Sequence, residues 1–341
     1  MIESCWLVLA AHYPPHHIGG GELSDQAIFQ AAADMNVSVT VLVDDFHRPA
    51  FQSTGNITVI RQRGIGRQLK LWCRRLKPDR VIISGVPGWP IKLAGRLPKL
   101  TVFLRAPSSL PYIASLATNV DRCLVPSLWF KGEVERAYPI LQGRVAVSYP
   151  SLKLNLHLQR PDSTRRFIAI ASAESHKGID MFLALADRIN NREWLVADNL
   201  HPVATAALRR ELTKHPNISL LTKHRSMNQV YFLSDLLLMP SVPSRHVETF
   251  GRVAAEALSW GVLPLAYNLG GPADWLPAGC LVSRRNDSFT AQLNIWQEVI
   301  DRFSGLSGEA LRSDLVRVGR QRLAGMKLED SARQAVRSLL N

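Results

Sequence analysis

The sequence predicts an α/β protein made of two parallel-sheet domains. Short apolar runs alternate with amphipathic segments of helical length almost throughout, which is the pattern of βαβ units. The chain has 341 residues, more than one ordinary α/β core holds. Between residues 148 and 165 lies a stretch with Pro150 and Pro161, polar residues and no clear period. It reads as a linker.

The expected strands of the first domain are Cys5–Ala11, Val37–Val43, Val81–Ser84, Thr101–Leu104, Cys123–Val125 and Val145–Val147. Those of the second are Phe167–Ala171, Trp194–Ala197, Ile218–Leu221, Leu236–Met239 and Leu263–Ala266. Helical patterns lie between them, for example Ser24–Ala33, Ile179–Ile189 and Arg252–Trp260. The expected division is residues 1–150, residues 151–325, and a C-terminal helix in 326–341 that packs back on the first domain.

Composition narrows the classes. Hydrophobic residues make up 46% of the chain, a normal globular share. The formal net charge is +13, which favours anionic partners: phosphates, nucleic acid or an anionic membrane surface. The excess divides into +7 in residues 1–150 and +6 in the remainder, so no basic tail carries it. Cys5, Cys73, Cys123 and Cys280 are far apart, unlike a disulfide framework or a structural zinc site. The opening Met-Ile-Glu-Ser-Cys-Trp lacks the basic region of a signal peptide. No apolar run approaches the ~20 residues of a membrane span. A cytoplasmic protein, peripheral at most, is expected.

Four stretches can carry chemistry. Pro14 to Glu22 contains Gly19-Gly20-Gly21 between a strand and a helix, where backbone can approach a ligand and a helix start can receive an anion. It matches neither the dinucleotide nor the ATP-loop pattern, so a plain glycine turn is equally consistent. His16 and His17 lack a third ligand nearby and read as loop residues. The second stretch runs from strand Phe167–Ala171 through His176-Lys177-Gly178 into a helix. Ligands in open α/β sheets sit beyond the carboxyl ends of strands, and a lysine there suits a diphosphate, though a surface lysine is the simpler reading. The third holds Glu248-Thr249-Phe250-Gly251-Arg252 and, inside the following helix, Glu256. Its helix start suits a phosphate and its two carboxylates suit sugar hydroxyls. Arg252, Glu256 and Ser259 share a helical face, so a merely solvated Glu256 fits as well. The fourth, Asn268-Leu269-Gly270-Gly271-Pro272-Ala273-Asp274, is a ligand-approach loop or a tight turn.

Together these stretches resemble glycosyltransferase family four, the retaining group 1 family with the GT-B fold. The matching motifs are Gly20-Gly21, Val125-Pro126-Ser127, Lys177-Gly178, Pro240-Ser241, Glu248-Thr249-Phe250-Gly251 with Glu256, and Gly270-Gly271 with Asp274. The resemblance implies two Rossmann-like parallel-sheet domains facing a central cleft. It implies a hexosyltransferase that takes a sugar from a UDP- or GDP-linked donor with retention and without an obligatory metal. Glu256 would hold the ribose, Glu248 would face the donor sugar, and Lys177 would grip the diphosphate with the backbone N–H groups of Phe250, Gly251 and Arg252. Gly20 and Gly21 would approach the donor.

Three positions depart from the family pattern, the mildest being Asp274, which follows Gly270-Gly271 where the family has a glutamate. Ser172 stands where the family has an arginine, so Arg245 or Arg252 is a candidate for the missing charge. Arg105, a further donor-binding candidate, stands where the family often has a histidine. Asp44-Asp45 is a strand-end pair rather than an Asp-x-Asp metal signature. The acceptor expected is a lipid-linked or glycan precursor. A DNA acceptor and a non-catalytic sugar-nucleotide-binding protein remain alternatives.

The lipid-linked acceptor is what the resemblance implies, since some lipid-modifying members of that family dock through a basic first-domain helix. The segment from Arg61 to Arg80 is the candidate for that helix here. It carries Arg61, Arg63, Arg67, Lys70, Arg74, Arg75, Lys77 and Arg80 against Asp79 alone. Ile65, Leu69, Trp72 and Leu76 recur at helical spacing. Such a helix can lie on an anionic membrane with Trp72 among the headgroups, or pack its apolar face on the first sheet with its charges in water.

Overall fold

A computed structural model describes residues 4–15, 19–44, 50–85, 98–158, 166–198, 202–222, 227–242, 244, 246–284 and 288–341. The chain forms two compact units, Met1–Lys153 with Leu328–Asn341, and Leu154–Lys327. His16, His17, Asp45 and Arg245 fall outside the described residues.

The first unit contains β1 (Ser4–Ala10), α1 (Gly20–Asp34), β2 (Val37–Val43), β3 (Ala50–Thr54), β4 (Ile57–Arg61), α2 (Leu69–Leu76), β5 (Arg80–Ser84), β6 (Lys99–Phe103), β7 (Val120–Val125), α3 (Leu128–Ala137) and β8 (Val145–Val147). The sheet order is β3-β4-β2-β1-β5-β6-β7-β8. All neighbours are parallel except β3, which runs antiparallel to β4 at the edge. Both faces of this sheet are covered, which is why β1 reads as one continuous apolar run. Side chains alternate along it: Trp6, Val8 and Ala10 join Ile28, Phe29 and Val41 on one face. Leu7 and Leu9 join Leu42, Leu69, Val81 and Ile83 on the other.

The second unit contains β9 (Phe167–Ile170), α4 (Ile179–Arg188), β10 (Glu193–Asp198), α5 (Pro202–Leu212), β11 (Ile218–Thr222), α6 (Asn228–Leu233), β12 (Ser234–Met239), α7 (Arg252–Ser259), β13 (Leu263–Tyr267), α8 (Gly271–Trp275), β14 (Leu281–Val282), α9 (Phe289–Asp301) and α10 (Gly305–Gly325). Its sheet is wholly parallel, ordered β11-β10-β9-β12-β13-β14. Strand order therefore reverses between β9 and β12, the place where open α/β sheets leave a crevice at their carboxyl ends.

The last helix, α11 (Ser331–Leu340), belongs to the first unit. Ala332, Ala335, Val336 and Leu339 pack in the same cluster as Ile28 and Phe29 of α1. Arg80 ties it down from the sheet, donating through Nη2 to the Leu339 carbonyl at 2.5 Å and through Nη1 to Thr101 Oγ1 at 2.7 Å.

The basic segment differs from its sequence reading at both ends. Arg61 closes β4 and is buried, with Nη2 donating to the carbonyls of Tyr13 (3.0 Å) and Pro14 (2.6 Å). Arg80 is buried too. The helix between them is only Leu69–Leu76, preceded by a single 3-10 turn over Ile65–Gln68. Ile65 and Leu69 are buried in the core, with Trp72 and Leu76 packed against it. Trp72 is therefore a packing residue, stacked beneath the Arg75 guanidinium at 5.4 Å. The exposed apolar side chain on this helix is Leu71, at 60%. It stands among the exposed Arg67, Lys70, Arg74 and Arg75.

Candidate functional site

Three loops at the carboxyl ends of β9, β12 and β13 build the site, and backbone contacts lock them together. After β9 the chain makes a 3-10 turn over Ser175–Lys177 and passes into α4 through Gly178, at φ 89°. That residue must be glycine, because a Cβ would lie 2.0 Å from the Pro240 carbonyl oxygen beyond β12. The Val242 N–H then donates to the His176 carbonyl (2.9 Å). On the other side the Gly271 N–H donates to the Glu248 carbonyl (2.8 Å). A Cβ at Gly271 would sit 2.0 Å from the Thr249 carbonyl oxygen. Gly270-Gly271 thus presses its backbone on the Glu248–Phe250 segment, and this contact accounts for the glycine pair.

Lys177 and Glu248 meet at the strand-order reversal. Lys177 Nζ lies 2.5 Å from Glu248 Oε1 and 2.8 Å from His246 Nε2. His246 Nε2 is itself 3.2 Å from Glu248 Oε1, and Ser241 Oγ is 3.4 Å away. Burial pushes the Glu248 carboxyl up, but His246 and Lys177 outweigh it and hold the group at about 2. Glu248 is therefore a carboxylate at any ordinary pH. The His176 ring lies 5.1 Å from that of His246. Burial is the main reason its pKa is lowered, so His176 is neutral at pH 7. Behind Glu248 a pocket opens between the ends of β12 and β13, lined by Met239, Ser241, His246, Glu248, Tyr267 and Pro272 among others.

Helix α7 begins at the expected place. Gly251 precedes it at φ 82°, and no side chain caps it, so the leading N–H groups carry the partial positive charge of a helix start. Phe250 contributes backbone only. Its ring is buried and stacks on Trp275 at 5.6 Å, while its carbonyl accepts the Trp275 indole N–H at 2.9 Å. Further along α7, Glu256 accepts from Arg252 Nε through Oε1 (3.0 Å) and from the Tyr231 hydroxyl through Oε2 (2.9 Å). The Arg252 guanidinium is paired with Glu256 through Nε. Ser172 folds its own loop, with Oγ accepting from the Glu174 N–H and donating to the Glu174 carboxylate.

The remaining candidates lie in the first unit. Gly20 and Gly21 are not in a loop but form the first turn of α1. The bare face of Gly21 lies against Arg105, whose Cβ would be 3.2 Å from an added methyl. Arg105 Nε donates to Asp25 Oδ1 at 2.8 Å, and the Ser84 hydroxyl donates to the other Asp25 oxygen. Burial pushes the Asp25 carboxyl up, against the opposing pull of Arg105 and Ser84. Asp44 Oδ1 accepts from the Gly64 N–H at 2.7 Å, as a strand-end residue does. Among the described residues no group of three or more His, Cys, Asp or Glu side chains is placed to hold a metal.

Sequence reasoning assigned no role to His246, Tyr231 or Asp25. His246 and Tyr231 carry no spacing signal. Asp25 does: it shares a helical face with Ile28, Phe29 and Ala32, an acid on an apolar stripe.

Comparisons with known proteins bear on the class and the fold. Residues 164–296, most of the second unit, match the model of the family described as Glycosyl transferases group 1. That match bears out the transferase class expected from the motifs. No curated protein matches the chain. Solved structures share the fold end to end. A glycosyltransferase from Rickettsia africae ESF-5 superposes with a TM-score of 0.71 at 12% identity, covering 99% of this chain and 98% of that one. WaaG, a glycosyltransferase involved in lipopolysaccharide biosynthesis, gives 0.70 at 15%, covering 97% and 98%. Anabaena Alr3699/HepE in complex with UDP-glucose gives 0.69 at 15%, covering 99% of each. The chain therefore has the GT-B fold.

Proposed function

We propose that this protein is a retaining glycosyltransferase that binds a nucleotide-diphosphate sugar in its second unit. The observation that carries this reading is the Lys177–Glu248 contact at the strand-order reversal, beside the open start of a helix that also bears Glu256. Lys177 and the leading N–H groups of α7 receive the diphosphate, Glu256 takes the ribose hydroxyls, and Glu248 takes a hydroxyl of the donor sugar. The leaving diphosphate then departs against positive charge already held at the site. UDP-glucose, which HepE binds, is the first donor to try. Calorimetric titration with UDP, GDP and their hexose conjugates tests the reading. Glu256→Ala should weaken the nucleotide and its sugar conjugate alike, by about a hundredfold or more for two lost hydrogen bonds to a charged group. Unchanged affinities in the folded variant would remove Glu256 from the site.

We assign the acceptor to the first unit and infer that it is lipid-linked. Four exposed basic residues, Arg67, Lys70, Arg74 and Arg75, surround the exposed Leu71 on α2. Each basic group near an anionic surface contributes about 1 kcal/mol, screened by salt. The protein should sediment with vesicles containing phosphatidylserine and stay in solution with neutral ones. Replacing the four residues by Ser should cut the bound fraction at least about tenfold. Indifference to anionic vesicles at low salt would sink the membrane reading.

A further inference from the structure

Glu256 is gripped from two separate elements. Arg252 lies one turn before it on α7, and that contact is a local i,i+4 pair. Tyr231 comes from α6, 25 residues earlier, and is 1% exposed. An i,i+4 partner alone lets a glutamate swing about the helix axis, and such pairs are worth only a few tenths of a kcal/mol. A buried hydroxyl on a second element fixes the plane of the carboxylate. The two contacts are also divided evenly, with Arg252 on Oε1 and Tyr231 on Oε2. A carboxylate offers about four acceptor positions, two on each oxygen. With one taken on each, every oxygen keeps one, which is what two vicinal hydroxyls require. Burial pushes the Tyr231 phenol well above its ordinary pKa, with the Glu256 charge adding to the shift, so it remains a donor throughout the working range.

We propose that Tyr231 is a positioning residue that orients Glu256 to accept the two ribose hydroxyls, and that the nucleotide site thereby distinguishes ribose from deoxyribose. This inference rests on the assignment of Glu256 to the ribose made above. It makes Tyr231 part of donor selection although it touches no ligand itself.

The test is calorimetric binding of UDP and 2′-deoxy-UDP, or of the GDP pair if the wild type takes GDP, to wild type, Tyr231→Phe, Glu256→Ala and the double variant. Phe keeps the buried ring and removes only the hydroxyl. Wild type should favour the ribonucleotide. Tyr231→Phe should shrink that preference about tenfold, the lower end for one hydrogen bond to a charged group, with the 2′-deoxynucleotide, which keeps its 3′-hydroxyl, losing less affinity than the ribonucleotide. In the Glu256→Ala background the Tyr231→Phe change should have no further effect. Equal weakening of both nucleotides by Tyr231→Phe would mean a structural role and overturn the inference. So would a full ribose preference in Tyr231→Phe while Glu256→Ala loses it. If Glu256→Ala keeps the wild-type preference, the ribose assignment itself fails and this inference falls with it.

Discussion

Lys177→Ala should lower the turnover rate by two to three orders of magnitude while changing donor affinity far less. Removing one fixed donor aimed at developing charge costs on the order of 10²–10³ in rate. An interaction that strengthens as the phosphate leaves acts on kcat and not only on binding. The side chain is placed for this by backbone contacts rather than by its own flexibility. Gly178 against Pro240 and Val242 against His176 fix the turn that carries it. In the free protein Glu248 balances its charge at 2.5 Å. The substitution therefore has a second consequence: Glu248 keeps its negative charge beside the incoming diphosphate with only His246 to offset it. Steady-state kinetics with UDP-glucose, or with whichever donor titration identifies, measures the effect. A partly exposed ion pair contributes about 1 kcal/mol or less to stability. If Lys177 were only a surface partner of Glu248, the variant would be slightly less stable and turn over within about threefold of wild type. That result would end its assignment.

The parts of this molecule that the sequence announced are those governed by local rules. Every parallel strand buried on both faces shows as an apolar run, from β1 through β13, because burial on both sides demands it. The edge hairpin does not. Residues Ala50–Thr54 of β3 are all exposed and have no apolar pattern to show. Residues Ile57–Arg61 of β4 alternate between buried and half-buried, but the strand ends in an arginine that reads as the start of a basic helix. Arg61 and Arg80 misled for one reason: their guanidinium groups are satisfied by backbone carbonyls distant in sequence, which no spacing rule reveals. The site divides in the same way. Lys177 and Glu248 lie between strand ends and the glycines that open the next helices, and Glu256 lies in the helix after Gly251, so their places were legible. The partners that orient two of them, His246 and Tyr231, are set by tertiary contact. Arg252 lies at i,i+4 to Glu256, and that spacing already contained the pairing the structure shows.

Glu248→Gln should separate the two halves of the donor. Turnover should fall about a hundredfold or more, while UDP itself should bind as well as before or better. The Gln side chain keeps the size and one acceptor oxygen but loses the charge, and the loss is complete at every working pH because the carboxyl is held at about 2, below the ordinary ~4.3. Lys177 Nζ, now bound to Oε1, is released to the diphosphate. Removing a unit negative charge beside that anion favours its binding. The donor sugar gains nothing from this and loses a strong acceptor for its hydroxyl, and a hydrogen bond to a charged group is worth about 1.5–3 kcal/mol. The backbone of the loop should stay in place, since its position depends on the Glu248 carbonyl and the Gly271 N–H rather than on the carboxylate. Paired titrations with UDP and UDP-glucose, together with turnover, give the answer. Tighter or equal UDP binding with collapsed turnover supports a carboxylate that faces the sugar and restrains the lysine. Parallel losses for nucleotide and nucleotide sugar would instead make Glu248 a support for the loop, and the sugar contact would have to come from elsewhere in the pocket.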